Sequence, residues 1–385
     1  MRLTPGDAVG LTRELVRVDS RNPSLVHGAP GEGAAATLLR DVLTAWGGEV
    51  SVQEAAPGRP NVVARFGRRG GPTLLFNGHL DVVDSAGMSH DAWSADVREG
   101  RIFGRGSSDM KSGIGAMCAA AARAAAHIHG EVIVTAVIDE EYASLGTRAL
   151  LAAGLRADAA IITEPTQLAI MPAHKGFAWL EIETQGRAAH GSRWELGVDA
   201  ISRMGRVLVE LEFFDREVLA ARSHPLLGRA SMHASTISGG AGMSTYPDRC
   251  VLAVERRTLP GERDDAVQHE IVDACRRALA PIGADAKVNM FLSAPPSDVA
   301  VDAPIVRALQ QAARAEGSDA PVLGMSAWTD AALFNEAGIP AVCFGPGDIS
   351  LAHADEEFVE VAQIERAAAV LTRLALEWCR GEVPA

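Results

Sequence analysis

The chain is nearly without lysine: only Lys111, Lys175 and Lys287 occur, and arginine supplies the rest of its 36 basic residues. Against these stand 49 acidic residues, for a net charge of −13. Such a surface would not attract a polyanion, so neither nucleic acid nor an anionic membrane is expected as a partner. Cysteine is also sparse. Cys118, Cys250, Cys275, Cys343 and Cys379 are odd in number, with no CxxC and no paired spacing, which argues against both a thiolate zinc site and a disulfide framework. No apolar run approaches the ~20 residues that cross a bilayer. The N-terminus has no basic-then-apolar leader pattern, and a cytoplasmic protein is the expectation. Internal repeats and long low-complexity tracts are missing too. What remains is 385 residues with 48% apolar and 22% charged content, the composition of an ordinary globular chain of about two domains.

Apolar periodicity orders those residues. Gly6–Val18 and Ala34–Trp46 carry helical spacing, the second stopping at Gly47-Gly48. Asn61–Phe66 and Thr73–Phe76 read as strands around the glycine-rich turn 67–71. Helix Ile114–Ala126, strand Glu131–Ile138, helix Leu145–Ala153 and strand Ala159–Thr163 follow. Alternation of this kind predicts an α/β domain with a mostly parallel sheet covered on both faces. Near Gly176 the rhythm changes. Phe177–Thr184 alternates like a half-exposed strand, and helix Val198–Leu211 places Ile201, Met204, Leu208 and Leu211 on one stripe. Strands Ala234–Ser238 and Cys250–Arg256, helix Arg263–Ala280 and strand Lys287–Leu292 complete a βαββαβ order, the ferredoxin-like arrangement. After Ala294-Pro295-Pro296 the first rhythm resumes. The expected organisation is a discontinuous catalytic domain, 1–176 and 293–385, with an α+β domain inserted at 177–292.

Chemistry-bearing residues gather just after the predicted strands. His79 and Asp81 follow the run Leu75–Gly78 two residues apart, hence on one face. A carboxylate beside an imidazole is a common way to hold the far nitrogen of a metal-ligating histidine. Asp109 sits in the loop Gly104–Gly113 ahead of a helix. Asp139-Glu140-Glu141 ends the next strand, Glu164-Pro165 another, and Val342–Phe344 leads through Gly345-Pro346-Gly347 to His353. In open α/β sheets, ligands bind beyond the carboxyl ends of the strands. Imidazoles and carboxylates without thiolates suit zinc, and cobalt or manganese as well. Spacing alone leaves either Glu140 or Glu141 as a general base.

These motifs, spread over nearly the whole chain, resemble those of the dizinc hydrolases of peptidase family M20. That family includes acetylornithine deacetylase, succinyl-diaminopimelate desuccinylase, aminoacylase and glutamate-releasing carboxypeptidase. The matching segments are Gly78-His79-Leu80-Asp81, Gly104-Arg105-Gly106 through Asp109-Met110-Lys111, Asp139-Glu140-Glu141, Thr163-Glu164-Pro165 and His353. The resemblance implies a zinc-peptidase-like catalytic domain and an inserted lid and dimerisation domain. It implies two Zn2+ per subunit, one on His79 and Glu164 and the other on Glu141 and His353, with Asp109 bridging the two and followed by a cis peptide to Met110. Asp81 would orient His79, and Glu140 would be the base. His190, in Gly186–Ser192, would stabilise the oxyanion in the active site of a neighbouring subunit, which requires a homodimer. Arg257, in Arg256–Gly261, would grip a substrate carboxylate, and Ser244 stands near the substrate where the family often has asparagine. Trp328 is bulky where small residues are common. Glutamate rather than aspartate at 164 accompanies deacylases and carboxypeptidases in the family. The expected activity is removal of an acyl group from a small N-acyl amino acid with a free carboxylate. A carboxypeptidase or dipeptidase is the alternative, and a non-catalytic metal-dependent binding protein a remote one.

Overall fold

The computed structural model describes residues 3–380, and the chain divides into two units. The first runs to Pro172 and takes up the chain again at Val299–Leu323 and from Thr329 onward. The second comprises Ala173–Asp298 with Gly324–Trp328.

At the centre of the first unit lie four parallel strands, in the order Glu131–Val137, Thr73–His79, Ala159–Ile162 and Ala341–Cys343. Each comes from an almost uninterrupted apolar run, as strands buried on both faces require. Leu74 and Phe76 point into the cluster formed with helices Ala8–Val16, Ser112–Ala124 and Val361–Trp378. Leu75 and Asn77, one residue out of phase, are covered on the other side. The rim is antiparallel: Arg59–Gly67 borders Glu131–Val137, and Glu49–Ala56 forms a hairpin on it. That outermost strand escapes sequence periodicity because its residues are only exposed or half-buried. Helix Gly33–Ala45 packs on the hairpin.

The second unit is an antiparallel sheet in the order Ser231–Gly239, Arg249–Thr258, Gly176–Gln185, Ala286–Ala294. With helices Ala200–Phe213 and Asp264–Leu279 it has the ferredoxin-like order. Strand Gly176–Gln185 buries alternate residues: Ala178, Leu180 and Ile182 face Met204, Val207, Val267 and Ile271. Truncating one of these, such as Leu180→Ala, costs about 2–5 kcal/mol by the usual core rule. Asp199 caps the first helix by accepting the amide of Ser202. Among the described residues no helix is long and apolar enough to cross a membrane.

Candidate active site

Register brings the predicted residues to one edge. His79 lies beside Val137, Asn77 beside Ile162, and Ile162 beside Cys343. Four parallel strands therefore release Asp139–Glu141, Glu164 and the His353 segment on the same side as His79. The helix that follows Asp109 comes close to the same edge at Gly113, where a Cβ would stand 1.9 Å from the carbonyl oxygen of Thr163. No side chain fits there. Gly106, at φ 78°, is similarly confined, with a Cβ position 2.6 Å from Val82.

Asp109 occupies the middle of the cluster. One carboxylate oxygen lies 3.1 Å from His79 Nε2, and the other lies 3.7 Å from His353 Nε2. His353 Nε2 is also 3.0 Å from Glu141. Donor atoms of His79, Asp109 and Glu141 all fall within 4.8 Å of one another. Glu164 is buried, and its Oε1 has no hydrogen-bond partner. Peptide Asp109–Met110 is cis.

The electrostatics of this edge call for a cation. Burial and the neighbouring Asp109 and Glu141 carboxylates push Glu164 well above its ordinary range, although His79 opposes them. Glu140 is half-buried; loss of solvent, with Glu164, Asp330 and Glu141 nearby, raises its carboxyl strongly, against the pull of His79. Burial works against a charged His79. The hydrogen bond to Asp109 and the charges of Glu140, Asp109 and Glu164 outweigh it and hold the imidazole well above its ordinary value. His353 is raised to about 9, chiefly by its bond to Glu141. Asp109 is held low by His79 despite its burial. Carboxylates crowded this tightly, one with an orphaned oxygen, fit a site for divalent cations.

Without metal the native state therefore holds extra protons at neutral pH. Glu140 and Glu164 are raised from 4.5, and His79 and His353 from 6.5. Their contribution to stability is complete below those ordinary values and is lost as pH rises through the folded ones. Asp109 has the opposite sign, but its window lies below 3.8. The Tm of chelator-treated protein, read by scanning fluorimetry, should accordingly fall between about pH 6 and about pH 9. Metal-loaded protein should show the reverse trend, since binding needs deprotonated ligands. A metal-free Tm that climbs with pH would contradict this electrostatic account.

Asp81 departs from its expected role. His79 Nδ1 meets the backbone carbonyl of Asp81 at 2.9 Å, while the carboxylate is 3.7 Å away. The carboxylate instead accepts the amides of Glu140 (3.1 Å) and Glu141 (3.2 Å) and the side chain of Asn22 (2.8 Å). Burial raises it to about 7 even so. The strand ends at His79, so the alternation that would aim both side chains one way stops there. Asp81 thus fixes His79 with its main chain and the acidic turn with its side chain.

Two buried carboxylates were not singled out by the sequence. Glu357 accepts from Arg105 Nη1 (2.8 Å) and from the amides of Gly106 (3.0 Å), Ser108 (2.9 Å) and Asp109 (3.1 Å). It lies four residues past His353 and holds the loop that bears Asp109. Asp330 accepts from Thr147 at 2.5 Å, and its other oxygen has no partner. Position just beyond a candidate ligand was the one available hint for Glu357; for Asp330 there was none.

The remaining predicted residues lie in the second unit. His190 is on an exposed loop, with Nδ1 2.8 Å from Ser192 Oγ. That loop is tied to the Ser244 loop, Gly191 N donating to Ser244 O at 2.7 Å and Tyr246 N to Ala189 O at 2.9 Å. Arg257 is ion-paired with Glu255, and its guanidinium stands 5.4 Å over the Phe177 ring. Phe177 is its strand partner, whereas the His190 loop leaves the other end of that strand, after Gln185. Eight residues of strand separate the two ends, roughly 25 Å. Within one chain His190 and Ser244 come together, and Arg257 does not join them.

Residues 75–377 match the model of peptidase family M20/M25/M40. The chain is 32% identical to acetylornithine deacetylase of Myxococcus xanthus, over 86% of this chain and 87% of that one. It is also 32% identical to succinyl-diaminopimelate desuccinylase of Paracoccus denitrificans, over 96% and 97% of the two chains. Among solved structures, an aminopeptidase from Bacillus cereus superposes with a TM-score of 0.80 at 20% identity, covering 98% of this chain and all of that one. A dinuclear metal-binding peptidase from Bacillus subtilis gives 0.74 at 18% identity, covering 97% of each chain.

Proposed function

Because this chain belongs to peptidase family M20/M25/M40, a family of metal-dependent hydrolases, we propose that it is a two-metal amidohydrolase that frees the amine of a small N-acyl amino acid carrying a free carboxylate. His79, Asp109 and Glu164 would hold one zinc ion, and Asp109, Glu141 and His353 the other; cobalt or manganese suits the same donors. When bound, the cations supply Lewis acidity toward an amide carbonyl and a water molecule. Glu140 supplies the base. It accepts a proton as the water oxygen bonds to the carbonyl carbon, and it delivers that proton to the amine nitrogen as the C–N bond breaks. His190 donates a hydrogen bond to the oxyanion. Arg257 pairs with the substrate carboxylate through its guanidinium fork, and Ser244 lies near the substrate.

The observation that carries this reading is Asp109, whose two oxygens face two different histidines, with Glu140 close to the first of them, His79. The deacetylase and desuccinylase at 32% identity support acyl release. A peptidase is the second reading, favoured by the fold shared with the aminopeptidase. Metal-loaded enzyme should be assayed on acetyl, succinyl and formyl amino acids beside di- and tripeptides. The expected result is a kcat/KM about tenfold or more higher for an acyl amino acid, since a peptide would have to bring its extra charged amine into a site made for a neutral acyl group. A higher value for a dipeptide would favour the peptidase instead.

The inserted domain expected at 177–292, which falls within the second unit, is assigned the roles of lid and dimer contact in a cytoplasmic homodimer. Support comes from its edge strand Ser231–Gly239, which exposes Ile237, and from helix Ala200–Phe213, which exposes Val209 and Phe213. The distance between Arg257 and His190 points the same way, because one small substrate reaches both only if they come from different chains. Neither Glu140→Gln nor His190→Ala homodimers should turn over substrate appreciably. Re-associated mixtures of the two should recover about a quarter of wild-type activity, since half the dimers in a symmetric pair are mixed and each has one intact site. No recovery on mixing would mean that His190 serves its own chain.

A further inference from the structure

Behind the acidic turn lies a buried ionic cluster to which no part of the activity has so far been attributed. Arg59 opens the strand Arg59–Gly67, and among the described residues its guanidinium is the cation that pairs with the carboxylates of this cluster. Nε and Nη2 grip Glu32 at 2.9 and 2.5 Å, Nη1 lies 3.0 Å from Asp139, and Nη2 donates to Asn22 Oδ1 at 3.1 Å. Glu32, Asn22 and Asp139 are fully buried, and Arg59 is 9% exposed.

Besides the bonds of Glu32 to the Asp139 amide (3.3 Å) and of Ser24 to the Asp139 carboxylate (3.1 Å), two routes lead from this cluster to the acidic turn. The direct one runs through Asp139, the residue before Glu140, whose φ is +65°; a non-glycine residue held there needs restraint from its surroundings. Asp139 has that restraint on both sides: Arg59 and Asn22 Nδ2 (3.0 Å) hold its carboxylate, and its carbonyl accepts the amides of Ala143 and Ser144. The second route runs through Asn22, whose amide nitrogen also donates to Asp81, and Asp81 in turn accepts the amides of Glu140 and Glu141. Three consecutive residues, 139 to 141, are thus held by one guanidinium, either directly or through a single asparagine and a single aspartate.

We propose that Arg59 is a positioning residue for the hydrolytic site, which fixes the base Glu140 and the metal ligand Glu141 through Asp139 and the Asn22–Asp81 relay. The inference rests on the metal reading given above. Arginine suits the task because its donors form a rigid planar fork, which a lysine ammonium cannot reproduce. The fork serves Glu32, Asp139 and Asn22 at once, so the direction of each hydrogen bond matters, not only the charge.

Arg59→Lys keeps a buried cation and loses the fork. Asn22→Ala keeps the Arg59–Glu32 and Arg59–Asp139 ion pairs but removes the relay to Asp81 together with the bonds of Asn22 to Arg59 and Asp139. Zinc affinities of both variants would be measured by chelator competition, with Glu141→Ala and Glu164→Ala used to tell the two cations apart. In each variant the cation held by Glu141 and His353 should bind about tenfold to a hundredfold more weakly, as loss of such supporting hydrogen bonds usually brings. The cation held by His79 and Glu164 should be bound as in wild type. Turnover should fall by a similar factor with KM little changed, and guanidinium ion should restore part of it to Arg59→Ala. Wild-type affinity at both positions in either folded variant would overturn the proposal, as would an equal loss at both, which marks general loosening. A wild-type chain that took up no divalent cation would overturn the metal reading itself, independently of Arg59.

Discussion

Replacing Glu140 by glutamine is expected to lower kcat by about three orders of magnitude, the middle of the range for losing a positioned general base, while zinc content stays at the wild-type level. Glutamine matches glutamate in size, and the turn that carries it is held by its own amide on Asp81 and by Asp139. The change therefore removes a proton acceptor and little else. In the absence of metal, burial and then the nearby Glu164, Asp330 and Glu141 raise the Glu140 carboxyl well above its ordinary value, against the pull of His79. Glu141→Gln makes the contrast: it should lose metal together with rate, because Glu141 contacts His353. Near-normal turnover in Glu140→Gln would remove it as the base. Metal loss in that variant, with metal retained in Glu141→Gln, would exchange the two assignments.

Removing metal should have the second large effect. Dialysis against a chelator is expected to lower activity by about a thousandfold or more, since both carbonyl activation and the nucleophile depend on the cations. Zinc, cobalt or manganese should then restore it. Stability should respond as well. Free cation at a hundred times its dissociation constant stabilises the fold by about 2.7 kcal/mol per site, and relief of repulsion among Asp109, Glu141 and Glu164 accompanies it. Calorimetry at pH 8 with and without zinc would measure this gain. Full activity after verified removal of metal would exclude the proposed mechanism. An activity that only calcium or magnesium restored would contradict the donor set, because imidazole ligands suit zinc, cobalt and manganese better than those hard cations.

The comparison of sequence with structure turns on particular residues. The strand ends were legible because an apolar run followed by an acidic residue or histidine is a local pattern only a few residues long. His79, Glu141 and Glu164 could be found in this way, and the parallel register then brings them to one edge. The Glu49–Ala56 strand was not legible, since an edge hairpin that is half in solvent needs no apolar alternation. The role of Asp81 was read in part. Its place beside His79 is sequential, but which of its atoms meets the ring depends on where the strand stops and the acidic turn begins.

Residue type and local order, taken alone, determined the α/β rhythm of the first domain, the βαββαβ order of the second and which histidines and carboxylates follow the strand ends as candidate donors. Only the tertiary structure decided how those donors are held. Glu357 reaches the amide of Asp109 across 248 positions, and Arg59 reaches Glu32 across 27 and Asn22 across 37. A buried charge must find a partner wherever the fold supplies one, and no periodicity marks which distant residue that will be. Local pattern can therefore mark the candidate residues, while long-range packing sets their geometry.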